Sequence, residues 1–234
     1  MILAGDIGGT NARLAYFQPQ NGHLHLVSER VFPSREHHEF GEIAVQFIDE
    51  SGTRPEAACF GIAGPVRNGR VETSNLPWVI EQSLLAKAIH TPATLLINDL
   101  EASAWGIGAL APADLVPLNH VAGPAIGNQA VIAPGTGLGE AGLFWDGDHH
   151  HVFACEGGHS DFAPHNELQI ELLRFLQKRF GHVSYERILS GPGLVNVYEF
   201  LRDSGFAQES PELVATMQTH DQAASISRAA LDGT

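Results

Sequence analysis

The sequence predicts an α/β fold with a partly parallel sheet, because short apolar runs alternate along the chain with stretches of helical periodicity. The chain has 234 residues, 44% of them hydrophobic, which is enough for one large domain or two small ones. Near its start, one apolar run reaches Asp6 and another covers residues 14–17, with Gly8-Gly9 between them. Such runs, joined by a short glycine-containing segment, are typical of a hairpin, and residues 25–32 predict a third antiparallel strand.

The rest of the first half continues the alternation. Apolar residues recur with helical spacing over residues 40–48. Farther along, we expect strands over 57–63 and 94–97 and helices over 81–89 and 100–110. From residue 108 to 128 the pattern changes to Pro, Gly and Ala, which predicts a boundary there and domains of 1–110 and 111–234.

The second half begins with another apolar run, from Ala130. It predicts further strands over 141–145 and 151–154 and an amphipathic helix over 168–180. Helix signals follow at residues 194–201 and after Ser210-Pro211, which looks like an N-cap with Pro at the first helical position. Asp221 could cap a last helix that runs to Leu231, with Gly233 just beyond its end.

Composition restricts the possible partners. The formal net charge is −14 with 13 Lys and Arg residues and no basic block, so nucleic acid and anionic membranes are poor partners. Any phosphate ligand is therefore expected to be held by backbone N–H groups and a metal. Two cysteines, Cys59 and Cys155, are too few for a disulfide framework and predict reduced core thiols. Without a signal-peptide pattern or a segment of membrane-spanning length, the expected location is cytoplasmic, with no membrane partner.

The opening hairpin contains the first candidate site, Gly5-Asp-Ile-Gly-Gly-Thr10. Glycines let the backbone approach a ligand closely, and successive N–H groups form a concavity that suits phosphate. Asp6 would repel phosphate directly, so its carboxylate makes sense as a partner of a magnesium ion or its waters. The alternative is a tight hairpin without a ligand.

A second glycine-rich element, Gly135-Thr-Gly-Leu-Gly139, lies far down the chain. Gly137, Gly139 and Gly142 match the dinucleotide pattern G-x-G-x-x-G, but that pattern requires a helix to begin on the glycines. Here the chain continues as a strand, which favours a second hairpin with Thr136 at its tip. Two such hairpins could hold a polyphosphate from both sides of a cleft.

Polar residues follow a predicted strand at Asn98-Asp99, where ligands of α/β sheets usually bind. Asp99 could act as general base toward a substrate hydroxyl, or equally as the N-cap of the next helix. Glu156-Gly-Gly-His159 lacks a zinc-ligand spacing and suits a loop around a small polar ligand. Periodicity gives Glu186 no special role.

Taken together, these residues resemble the bacterial glucokinase family, within the hexokinase, actin and Hsp70 superfamily of two-lobed ATPases. The matching stretches occur in family order and extend over nearly the whole chain. They are Gly5–Arg13, Gly61-Ile-Ala-Gly-Pro65, Ser74-Asn-Leu-Pro-Trp78, Ile97–Ala102, Gly135–Gly139, Glu156–Pro164 and Glu186–Asn196.

The resemblance implies a two-lobed actin/hexokinase-like (ribonuclease H-like) fold and ATP-dependent phosphorylation of glucose at its 6-hydroxyl. Asp99 would be the general base, in the small domain. The nucleotide would be bound by Gly5, Asp6, Ile7, Gly8, Gly9, Thr10, Gly135, Thr136 and Gly137, with Asp6 indirectly toward Mg²⁺. Glucose would be bound by Asn98, Asp99, Glu156, His159 and Glu186. The family further suggests a homodimer.

The chain departs from the family at its end, because family members continue beyond Thr234 into an adenosine-binding segment. We therefore expect an incomplete second lobe. A non-catalytic sugar-binding protein that has lost ATP use is the alternative function. An actin-like or Hsp70-like nucleotide switch and an NAD-binding enzyme are weaker hypotheses.

Overall fold

The computed structural model describes residues 1–73, 76–119, 123 and 126–233. Ser74 and Asn75, which begin one of the matching stretches, lie outside the described residues. The chain forms two compact units, Met1–Gln129 with Gly142–Ala154, and Ala130–Ala141 with Cys155–Thr234. The predicted division at residues 110 and 111 remains a prediction.

A five-stranded sheet forms the centre of the first unit, with the order β3-β2-β1-β4-β7. The strands β1, β2 and β3 form the predicted antiparallel meander, and β4 and β7 are parallel to β1. The sheet is therefore partly parallel, as predicted. Its elements are β1 (Ile2–Ile7), β2 (Asn11–Gln20), β3 (His23–Pro33), α1 (Phe40–Ser51), β4 (Ala57–Ile62), β5 (Arg70–Glu72), β6 (Val79–Glu81), α2 (Gln82–Ala88), β7 (Thr94–Asn98) and α3 (Asp99–Ile107).

Helix α1 covers one face of this sheet with the apolar residues that its periodicity predicts. Its buried residues are Phe40, Ile43, Ala44, Phe47 and Ile48. The Phe40 ring packs edge-on against Phe60, with 5.0 Å between ring centroids. Opposite Phe60 the sequence has Gly5, where an added Cβ would lie 2.6 Å from the Phe60 ring. This core therefore fixes the strand that leads into the first glycine-rich turn.

Three further strands form a sheet of order β10-β9-β8. They are β8 (Gln129–Pro134), β9 (Leu138–Trp145) and β10 (His150–Cys155). Residues 138–145 form a strand where the dinucleotide pattern would require a helix, which confirms that the G-x-G-x-x-G match is spurious.

Four helices follow, and a cluster of Leu172, Leu176, Val183 and Phe200 forms a second core. Two of the helix starts have the predicted caps. The Ser210 hydroxyl accepts from the Leu213 N–H at 3.1 Å, and the Asp221 carboxylate accepts from the Ala224 N–H at 2.8 Å. The helices are α4 (Glu167–Gln177), α5 (Gly191–Asp203), α6 (Pro211–Thr219) and α7 (Gln222–Asp232).

Two sequence expectations concern the cysteines and the membrane. Cys59 and Cys155 are free thiols, but both are half-buried rather than enclosed in the core. Burial raises the pKa of the Cys59 thiol, and the Glu101 carboxylate adds to this effect. In the described part of the chain, no helix combines the length and the apolar composition needed to cross a bilayer.

Candidate functional site

The first glycine-rich turn connects β1 to β2 and is held by Ser34, a residue with no exposed surface. The Ser34 hydroxyl donates to the Gly8 carbonyl at 2.9 Å, and the Ser34 N–H donates to the Thr10 carbonyl at 2.9 Å. Within residues 1–73, the N–H groups of Gly9 and Thr10 have no backbone acceptor. The carbonyls of Gly8 and Thr10 therefore have donors, while two successive N–H groups have no backbone acceptor there, and such N–H groups are what an anion-binding concavity offers.

Ser34 was not found from the sequence. It follows Pro33 at the end of β3 and is 26 residues from Gly8, so no local motif connects the two. A buried hydroxyl that donates to the turn is a positioning feature that periodicity and spacing cannot detect.

Asp6 lies near the carboxyl end of β1, and Asp99 directly follows the carboxyl end of β7, which is parallel to β4 as β1 is. Asp6 in β1 is paired with Gly61 in β4, and Gly61 is paired with Ile97 in β7. Position 61 requires a residue without a side chain, because an added Cβ would lie 3.0 Å from the Ala102 Cβ and 3.7 Å from the Asp99 Cα. Helix α3 thus approaches β4 closely and brings Asp99 to the carboxyl end of that strand.

The N-cap of α3 is Asn98 rather than Asp99. Of the two uses predicted for Asp99, N-cap or general base, the structure therefore gives the N-cap to its neighbour. The Asn98 Oδ1 accepts from the N–H groups of Leu100 at 2.9 Å and Glu101 at 3.3 Å. Its Nδ2 donates to the Gly64 carbonyl at 3.2 Å. A side-chain amide has two N–H donors, so one remains for a ligand.

Asp99 is half-buried at the first position of α3, and its Oδ1 also accepts from the Leu100 N–H at 2.9 Å. Burial raises the pKa of the Asp99 carboxyl, and repulsion from the Asp6 carboxylate raises it further. Hydrogen bonds from the start of the helix oppose this rise without cancelling it. A carboxylate whose pKa is raised toward the operating pH is better suited to accept a proton from a hydroxyl.

The Asp6 carboxylate is exposed beside the first turn. Among the described residues, no group of three or more His, Cys, Asp or Glu side chains converges as a metal cage. Magnesium ordinarily keeps several waters and binds one or two carboxylates together with substrate phosphates. The single Asp6 carboxylate, next to the first glycine-rich turn, fits that pattern.

The second glycine-rich turn connects β8 to β9 and is tied to the start of α5. The Gly135 N–H donates to the Gly137 carbonyl at 2.8 Å, and the Gly135 carbonyl accepts from the Gly191 N–H at 2.8 Å. The predicted hairpin is thus present, with Thr136 exposed between the glycines.

A cavity of about 760 Å³ opens beside Thr136 and is lined by two arginines, Arg179 and Arg187. Arg179 forms an ion pair with Glu199. The Arg187 guanidinium lies over the Phe180 ring, 4.4 Å from its centroid. Neither arginine is among the site residues predicted from the sequence.

The sugar-binding residues predicted in the second half lie close together. His159 Nε2 is 3.8 Å from a Glu156 carboxylate oxygen, and His159 Nδ1 is 4.0 Å from Glu186 Oε1. These separations exceed hydrogen-bond length, so both carboxylates keep acceptor capacity for a ligand. An added Cβ at Gly157 would lie 2.1 Å from a Glu140 oxygen, and one at Gly158 would lie 2.2 Å from the Leu138 carbonyl. The two glycines therefore allow the loop to pack closely against β9.

Glu186 also contacts the second turn. Its Oε2 accepts from the Leu138 N–H at 3.1 Å, and an added Cβ at Gly137 would lie 2.6 Å from the same oxygen. The residue lies in a short 3₁₀ turn, Tyr185–Arg187, with 23% of its side chain exposed. Resemblance alone singled out Glu186, and its partner is 48 residues away in sequence.

The structure thus describes two groups of candidate residues. Asp6, Asn98 and Asp99 belong to the first unit, whereas Glu156, His159 and Glu186 belong to the second. Within each unit the residues expected to act together are neighbours.

Known proteins similar to this chain include glucokinases. The family model described as Glucokinase matches residues 3–234. The glucokinase of Nostoc sp. (strain PCC 7120 / SAG 25.82 / UTEX 2576) is 39% identical over 229 residues, which cover 96% of this chain and 67% of that protein. The chain therefore spans about two-thirds of the length of this relative.

Two solved structures share the fold. A glucokinase from an Antarctic psychrotroph is 30% identical with a TM-score of 0.81, and the match covers 99% of this chain and 70% of that one. A ROK family glucokinase from Streptomyces griseus, solved with glucose and AMPPNP, is 21% identical with a TM-score of 0.60 and coverages of 99% and 71%. These likenesses confirm the predicted α/β fold of the two-lobed actin/hexokinase-like class.

Proposed function

Because this chain belongs to the glucokinase family of sugar-phosphorylating kinases, we propose that it transfers the γ-phosphoryl group of ATP to the 6-hydroxyl of glucose. The products are glucose 6-phosphate and ADP. The observation that carries the proposal is Asp99, a half-buried carboxylate with a raised pKa at the carboxyl end of β7. Asn98 takes the capping role, so one Asp99 oxygen has no hydrogen bond to the start of α3.

In this mechanism, the oxygen of the glucose 6-hydroxyl attacks the γ-phosphorus as its proton passes to Asp99. A bond forms between that oxygen and phosphorus, and the bond from phosphorus to the β,γ-bridging oxygen breaks to release ADP. Phosphoryl transfer depends on positioning and charge stabilisation rather than on a covalent intermediate. A single well-placed base ordinarily contributes about 10²–10⁴-fold to the rate.

The nucleotide phosphates are assigned to the two turns. The N–H groups of Gly9 and Thr10 have no backbone acceptor within residues 1–73, which supports the first turn, Gly5–Thr10, as one phosphate site. Gly135, Thr136 and Gly137 are the second. Asp6 would hold Mg²⁺ through its waters, and the ion would neutralise phosphate charge.

The remaining glucose hydroxyls are assigned to the side chains with spare capacity. Asn98 has one N–H donor left, and Glu156, His159 and Glu186 lie together with unspent acceptors. A site built to hydrogen-bond a hydroxyl rejects an analogue that leaves its polar groups unpaired. We therefore expect glucose to be preferred to galactose. A cytoplasmic location, a role in glycolysis and a homodimer, as the resemblance suggests, belong to the same proposal.

Two measurements on the purified chain test the proposal. Calorimetric titration with D-glucose, with galactose as control and no nucleotide, is expected to show glucose-selective binding. ADP production with MgATP is then expected to require glucose. Binding without turnover would favour the alternative of a non-catalytic sugar-binding protein, and a cooperatively folded sample that neither binds glucose nor forms ADP would overturn both.

A further inference from the structure

We propose that Glu186 is a positioning residue that couples glucose binding to the second phosphate turn, Gly135–Gly137. The inference rests on the proposed function and assigns to one residue of the sugar set a second task. It depends on contacts that are all formed within the second unit.

The two oxygens of the Glu186 carboxylate face different partners. Oε2 accepts from the Leu138 N–H at 3.1 Å, and Leu138 directly follows the turn. Oε1 lies on the side of His159, 4.0 Å from its Nδ1. One oxygen is thus bound to the turn, while the other faces the residues assigned to the sugar.

Gly137 makes this contact possible. An added Cβ at this position would lie 2.6 Å from Glu186 Oε2, which is closer than real Cβ atoms approach an oxygen. Because the Glu186 carboxylate is the far end of a flexible side chain, an alanine at position 137 would displace it at little cost to the fold. The absence of a side chain at Gly137 therefore leaves room for the Glu186 carboxylate beside the turn.

Coupling follows from this arrangement. A glucose hydroxyl bound to Oε1 restricts the carboxylate and so strengthens its hold on the Leu138 N–H. In return, the turn orients the carboxylate for the sugar before glucose arrives, which lowers the ordering cost of binding. Linkage requires that glucose and a nucleotide whose phosphates bind the second turn change each other's affinity by the same factor, ordinarily about 5–150-fold.

The test measures glucose affinity after a change in the phosphate turn. Gly137→Ala is expected to raise the glucose Kd by roughly fivefold or more, measured by calorimetry without nucleotide. Gly135→Ala is the matched control, since an added Cβ there meets no atom within 4 Å. It alters the same turn but is expected to keep the glucose Kd within about twofold, below the usual range of coupling, whatever it does to turnover.

The reciprocal test measures MgADP affinity without glucose. Glu186→Ala is expected to raise the MgADP Kd by roughly fivefold or more. Glu156→Ala, which removes the other carboxylate that is assigned to glucose in the second unit, should not. This pair decides the question if Gly137→Ala loses its cooperative unfolding transition.

The outcomes separate the two claims. If the wild-type protein binds glucose and Gly137→Ala binds it equally well, the coupling is overturned and the proposed function stands. Equal MgADP affinities of Glu186→Ala and the wild type overturn it as well. If the folded wild-type protein binds no glucose, the proposed function fails and the coupling fails with it.

Discussion

Replacement of Ser34 by alanine tests whether this buried residue holds the first glycine-rich turn in place. The substitution removes the 2.9 Å hydrogen bond to the Gly8 carbonyl but retains the backbone bond from residue 34 to Thr10. Ser34 is fully buried, and alanine occupies nearly the same volume, so the main change is a carbonyl without its donor.

The magnitude follows from the burial of the bond. A polar group left unsatisfied costs about 1–3 kcal/mol, and the half-buried Gly8 carbonyl places the expected loss at about 1–2 kcal/mol. If the bound turn must regain the same order, MgATP affinity falls by up to about thirtyfold, since about 1.4 kcal/mol corresponds to a factor of ten.

The assay compares urea unfolding and the KM for MgATP in two variants. Thr94→Val removes another buried hydroxyl in the same unit, one that donates to the Thr91 carbonyl at 2.6 Å, at the opposite end of β7 from Asn98. Both variants are expected to lose similar stability, but only Ser34→Ala should raise the KM. Equal KM values in Ser34→Ala and Thr94→Val would refute the anchoring role of Ser34.

Three further substitutions give expected outcomes. Asp99→Asn should lower kcat by about 10²–10⁴-fold without lowering the melting temperature at pH 7. Because the pKa of Asp99 is raised in the folded protein, its contribution to stability is present below the ordinary carboxyl pKa and is lost as pH rises through the raised pKa. A lower melting temperature of Asp99→Asn at pH 7 would contradict this sign. Asn98→Ala should cost about 0.5–2 kcal/mol in urea unfolding through loss of the α3 cap, and an unchanged midpoint would refute it. Gly5→Ala should cost about 1–3 kcal/mol, because its Cβ would overlap the Phe60 ring. Gly41→Ala in α1 should be neutral or stabilising, because its Cβ would make only ordinary contact with the Glu39 side chain. Equal unfolding midpoints for the two variants would contradict the packing argument.

The elements and their caps follow from local sequence. Periodicity in α1 identifies all five of its buried apolar residues, and Ser210 and Asp221 cap the helices that they were expected to cap. Each of these features depends on residues within one or two turns of each other. Such short-range signals are what propensity and spacing record.

The candidate site could be predicted only in part from the sequence, because the hydrogen bonds that position its residues join parts of the chain that are far apart in sequence. The Ser34 to Gly8 bond joins residues 26 apart, and the Glu186 to Leu138 bond joins residues 48 apart. Neither Ser34 nor Glu186 has an unusual neighbourhood in the sequence. The dipeptide Asn98-Asp99 left two uses of Asp99 open, and the hydrogen bonds of the folded α3 were needed to assign the cap to Asn98.

Direct detection of glucose 6-phosphate tests whether this chain phosphorylates glucose with Asp99 as the base. The wild-type chain, incubated with D-glucose and MgATP, is expected to form a phosphate ester at the 6-position that phosphorus and proton NMR can identify. Asp99→Asn, shown to be folded and to bind glucose, is expected to form it about 10²–10⁴-fold more slowly. Glucose 6-phosphate formed at the same rate by both proteins, or by neither, would contradict the account.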